Sequence, residues 1–91
     1  MSAELQKRAK AWQRQPQRSA PEYRLGSVAD WFIGVYASNG HVDLQGDYLD
    51  YLESGVAESL YFAEQRTGPD AAFYREAAEI LKAIETEART S

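Results

Sequence analysis

Ninety-one residues with 44% hydrophobic and 12% aromatic content suit one small folded domain and exclude a chain disordered throughout. The absence of cysteine excludes disulfides and thiolate metal sites and points to a reducing compartment. No apolar run approaches the roughly 18 residues that a membrane span needs, and no apolar stretch follows Lys7, Arg8 and Lys10 as in a secretory signal, so no membrane is expected and the expected location is cytoplasmic.

The net charge of −4 is unevenly distributed. Residues 1–24 hold six basic and two acidic groups, for +4, whereas residues 25–91 hold four basic and twelve acidic groups, for −8. This divides the chain into a basic N-terminal arm over 1–24, with room for a short helix, and an acidic helical domain over 25–91. Either the arm lies across the acidic surface of its own domain, or one of the two meets an oppositely charged partner.

Ala3 to Gln13 carries a thin apolar line of Leu5, Ala9 and Trp12, with Ser2 placed as N-cap. Such a line holds a helix only if Leu5 and Trp12 dock on something. Gln15 to Pro21 reads as a linker, because Pro16 disfavours helix before it.

Tyr23 to Asn39 admits two readings. Val28, Trp31, Phe32, Val35 and Tyr36 recur at helical spacing, Ser27 and Asp30 suit a helix start, and Asn39-Gly40 suits a helix end. The same residues are strand formers, and Asn39-Gly40 followed by His41-Val42-Asp43-Leu44 resembles a hairpin. The helix is favoured because the stripe and both end signals agree. The hairpin would make the fold α+β.

The central stretch follows Gly46 and runs from Asp47 to Arg66. Leu49, Leu52, Val56, Leu60 and Ala63 form one apolar line. Tyr48, Tyr51, Gly55, Ser59 and Phe62 form a second line, small in the middle, where another helix can approach closely. Asp47, Asp50, Ser54, Glu58, Tyr61 and Gln65 form a polar third. A helix with two apolar faces packs against two neighbours, so it is read as the centre of a small all-α bundle of three to four helices. Pro69 and Asp70 suit the first turn of a last helix, over about 70–88, with Phe73, Ala77, Ile80, Leu81 and Ile84 as its stripe. The final Arg-Thr-Ser is expected to fray.

Chemistry is sparsely encoded. His41 alone gives no zinc set and no nucleophilic triad. A calcium loop over Val35 to Gly46 needs oxygen ligands at Val35, Ala37 and Gly46, which have no side-chain oxygen. Asp43, Asp47, Asp50 and Glu53 read as a solvated helix face, and the six glycines match no phosphate-binding loop. No catalytic residue, metal or cofactor is therefore expected. Six tyrosines and two tryptophans exceed the needs of so small a core, and both residue types favour interfaces. The expected function is that of a non-enzymatic protein-interaction module, a small acidic regulator, inhibitor or adaptor. Its expected contact residues are Asp47, Tyr48, Asp50, Tyr51, Glu58, Tyr61 and Phe62. A homodimer through the tyrosine line is a further expectation. The alternatives are a nucleic-acid mimic that blocks a nucleic-acid-binding protein, and nucleic-acid binding through the basic arm around Trp12. The acidic balance makes nucleic acid the less expected ligand.

Overall fold

The computed structural model describes residues 3–90. Among them are four α-helices, α1 (Ala3–Gln13), α2 (Ser27–Asn39), α3 (Tyr48–Glu64) and α4 (Gly68–Thr90), with a short 3-10 turn at Pro16–Ser19 and no strand. The protein is a small all-α bundle. Ser2, the expected cap of α1, and Ser91 lie outside the described residues, while Arg89 and Thr90 are helical.

The hairpin at Asn39-Gly40 does not form. Asn39 is the last residue of α2, and Gly40 closes the helix in the left-handed region at φ 79°, its N–H donating to Tyr36 O at 2.8 Å. Glycine reaches that conformation without a Cβ penalty, so the pair serves as a helix stop. Of the strand-forming side chains before it, Phe32, Ile33 and Tyr36 are buried on one helical side, an arrangement that extended backbone cannot give. The start of α2 lies one residue earlier than expected. Gly26 is the N-cap, and its own N–H is taken by Glu58 Oε1 at 2.9 Å.

One core draws on all four helices. Leu5, Ala9 and Trp12 of α1 are buried with Phe32, Ile33 and Tyr36 of α2, Leu52 and Ala63 of α3, and the α4 stripe. The docking that α1 requires is therefore present. Trp12 is only 1% exposed, stacks on Phe73 at 4.8 Å with 12° between rings, and donates its indole N–H to Phe73 O at 3.0 Å. The arm also meets the acidic surface of its own domain. Arg8 donates to both oxygens of Glu76 at 2.8 and 2.9 Å and to Glu79 at 3.1 Å. The hydrogen bond to Glu76 raises the guanidinium pKa above its ordinary value.

The α4 stripe is buried as its spacing predicts, widened by Ala71, Tyr74 and Ala78. The faces of α2 and α3 differ from expectation. On α2 the buried residues are Ala29, Phe32, Ile33, Tyr36 and Ala37, whereas Val28 and Trp31 are exposed. On α3 the buried seam is Leu52, Gly55, Ser59 and Ala63, with Leu49, Val56 and Leu60 half-buried. Gly55 lies so close to its neighbours that a Cβ there would stand 3.4 Å from Leu81 Cδ1 and 3.6 Å from Ala29 Cβ. Buried Ser59 satisfies itself by donating to Gly55 O at 2.8 Å.

Two predictions follow from this burial. Leu52→Ala, at a site with 0% exposure, should cost about 2–4 kcal/mol, and Leu60→Ala clearly less, because a half-buried side chain leaves a smaller cavity. Urea denaturation checks the order. Trp12→Ala should cost about 3–5 kcal/mol as a core aromatic, whereas Arg8→Ala should cost no more than about 1 kcal/mol because its ion pairs are part-exposed. Thermal melts of the two variants test whether apolar docking or charge holds the N-terminal helix.

Candidate functional site

The N-terminal turns of α2 and α3 lie side by side and leave a groove between them. Ser27, Val28, Trp31 and Phe32 line it from α2, and Tyr48 and Tyr51 from α3, around a volume of about 290 Å³. Helix geometry places these residues together: 28 and 31 are one turn apart, as are 48 and 51. The rings meet edge to face. Trp31 lies 5.6 Å from Tyr48 at 67°, and Phe32 lies 5.0 Å from Trp31 at 79° and 6.2 Å from Tyr48 at 87°. Tyr51 extends the cluster, tilted 40° to Tyr48 at 6.5 Å. Phe32 forms the buried floor. Val28, Trp31, Tyr48 and Tyr51 stay between 37% and 48% exposed.

The stretch of sequence that carries the groove is acidic. Residues 25–65 contain seven carboxylates and no lysine or arginine. Several of these carboxylates are engaged inside the fold. Asp30 accepts from the Tyr23 hydroxyl at 2.6 Å and pairs with Arg18 at 3.3 Å. Burial and then this hydrogen bond push the Tyr23 phenol well above its ordinary pKa, which holds it protonated. Glu58 caps Gly26, and Glu53 lies 3.9 Å from Arg89. Asp47 and Asp50 are exposed and make no ion pair among the described residues.

The residues expected to form a contact surface are thus divided. Tyr48 and Tyr51 enter the groove, and Asp47 and Asp50 flank them along α3. Glu58 is half-buried and bonded to the α2 cap. Tyr61 is 57% exposed but lies ten residues beyond Tyr51, about 15 Å along the helix. Phe62 is half-buried beneath Arg66, whose guanidinium carbon is 5.2 Å from the ring centre. The small middle of the tyrosine line is not available for a homodimer. Gly55 and Ser59 are buried, and Gly55 faces Ala29 of α2 and Leu81 of α4 within the same chain. Val28 and Trp31 share a helical stripe with the buried Phe32 and Tyr36, yet both stand exposed. The neighbouring line of Ala29, Ile33 and Ala37, which shares Phe32 and Tyr36 with that stripe, was the available signal that they face outward.

No group of three or more His, Cys, Asp or Glu side chains fit to hold a metal occurs among the described residues. A smaller cavity of about 100 Å³ lies near His41, Asp43, Tyr36 and Glu87. There the Tyr36 hydroxyl donates to Glu87 Oε1 at 2.5 Å and ties α2 to α4. No described helix is long and apolar enough to cross a membrane. Comparisons with protein-family models, with curated proteins and with solved structures found no match.

Proposed function

We propose that this chain is a non-enzymatic protein-interaction module, a small acidic regulator, inhibitor or adaptor that binds a partner protein through the α2–α3 groove. One observation carries the reading: of the five large apolar side chains that stand exposed among the described residues, four (Val28, Trp31, Tyr48 and Tyr51) gather in that groove. Exposed apolar residues scattered singly are ordinary, whereas a contiguous patch marks a contact site. Trp and Tyr are also the residue types that most often carry binding energy at interfaces. At about 290 Å³ the groove lies at the small end of the range of ligand sites, about 300–1,000 Å³. Its size suits one or two side chains of a partner. Asp47 and Asp50 beside the aromatic rings are placed to speed encounter with a basic surface.

The two nucleic-acid readings receive less support. Mimicry needs a row of unpaired carboxylates, and Asp30, Glu53 and Glu58 are engaged within the fold. Binding through the arm needs Trp12 available for stacking, and Trp12 is buried. A homodimer that joins groove to groove brings two stretches of seven carboxylates each together, which like-charge repulsion opposes.

The test uses the immobilised protein and extract of the native host. Trp31→Ser with Tyr51→Ser should remain folded, because both side chains stand about half exposed outside the core, which a thermal melt checks, and should lose a partner that the parent retains. Tyr61→Ser should retain it. Loss with Tyr61→Ser and retention by the groove variant moves the site to the far end of α3.

A further inference from the structure

Three aromatic rings elsewhere in this protein are covered by its own arginines. The Arg18 guanidinium lies 5.5 Å from the Trp12 ring centre, and that of Arg66 lies 5.2 Å from Phe62 and 4.6 Å from Tyr74. Trp31, Tyr48 and Tyr51 have no such cover among the described residues, and residues 25–65 contain no basic side chain to provide it. Resting on the reading of the groove as a protein-binding site, we infer that the side chain it receives is an arginine of the partner, laid against Trp31 and Tyr51 with Asp47 beside it.

The size of the groove selects a single anchor. A helix that docks by several anchors uses positions i to i+7, a span of about 10 Å. The lining runs only from Ser27 to Phe32 on α2 and from Tyr48 to Tyr51 on α3, about 7.5 and 4.5 Å of helix rise. The rings and charges select the type of anchor. An apolar anchor matches the rings but leaves the exposed Asp47 and Asp50, next to Tyr48 and Tyr51 in sequence, without a counterpart. A lysine matches the charge, but as a compact, strongly hydrated ammonium it gains less from a flat ring. A guanidinium is planar, weakly hydrated and always charged, so it lies on Trp and Tyr faces and meets a carboxylate at its edge. Asp47 precedes Tyr51 by four residues and so shares its side of α3.

Capped pentapeptides Gly-Ser-Xaa-Ser-Gly, with arginine, lysine, citrulline or leucine in the centre, test the inference by ¹H–¹⁵N correlation spectra. The probe resonance is the Trp31 indole N–H, assigned through Trp31→Leu. The buried Trp12 indole N–H, held by Phe73 O, is the internal control. The arginine peptide should shift Trp31 saturably and leave Trp12 in place. It should bind two- to fivefold more tightly than lysine and at least tenfold more tightly than citrulline, which has the same shape without the charge. Tyr51→Leu should weaken it at least fivefold and Asp47→Asn about twofold. Equal binding of citrulline or leucine, an arginine shift indifferent to Tyr51→Leu, or no saturable shift of Trp31 overturns the arginine slot. In each of those cases a host partner that depends on the groove leaves the interaction reading standing with a different anchor. If no such partner exists either, both readings fall.

Discussion

The small residue at position 55 lets α3 pass close to its two neighbours. A Cβ placed on Gly55 would stand 3.4 Å from Leu81 and 3.6 Å from Ala29, so the seam has room for one methyl group and nothing larger. This closeness fixes the rotation of α3. Leu52, Ser59 and Ala63 follow Gly55 into the interior, and Leu49, Val56 and Leu60 move to its margin. It also fixes where the aromatic rings emerge. Tyr51 and Tyr48 precede Gly55 by four and seven residues and continue the same helical line. In the middle that line is small and buried. At the start of α3 it is aromatic and half-exposed, and there it meets Trp31.

The charge asymmetry of the chain is partly neutralised inside the fold. Arg8 joins α4, Arg18 holds Asp30 at the start of α2, and Arg89 lies between Glu53 and Glu85. These pairs are part-exposed, so the aromatic and aliphatic core supplies most of the stability. Asp47 and Asp50 have a local role besides any partner. They stand at the N-terminal end of α3, where negative charge offsets the positive end of the helix dipole. The same two carboxylates therefore favour the helix and colour the groove acidic.

The all-α class and the extents of α3 and α4 were legible in the sequence, through stripes such as Ile80, Leu81 and Ile84, whereas the number of helices stayed at three to four and Asn39-Gly40 on α2 read both as a helix stop and as a hairpin turn. The rotation of α2 was less so. Bulky residues dominate any hydrophobic pattern, and Val28, Trp31 and Val35 outweigh Ala29, Ile33 and Ala37. The structure chose the line with alanines because Ala29 fits against Gly55 and Trp31 does not. Of the candidate site, Tyr48 and Tyr51 were readable as an unusual aromatic pair on α3. Their partner Trp31 was harder to read, since the spacing offers two rival lines on α2 and the way the helices cross decides which of them turns inward. The seating of α1 was conditional on an unseen contact. Trp12 meets Phe73 sixty-one residues later, a separation that single-sequence periodicity does not reach.

That separation has a consequence for the order in which the protein is made. Helix α1 leaves the ribosome first, but its stacking surface at Phe73 belongs to α4, the last helix in the chain. At about 5–20 residues per second, Trp12 waits roughly 3–12 seconds for its partner. Closing a loop of that length then costs about 3–4 kcal/mol in chain entropy, which the buried indole and its hydrogen bond offset only once α4 is helical. During synthesis Leu5 and Trp12 are exposed on a short helix that has no stability of its own. Lys7, Arg8, Lys10 and Arg14 interrupt that apolar line, and charged residues beside an apolar stretch oppose its aggregation.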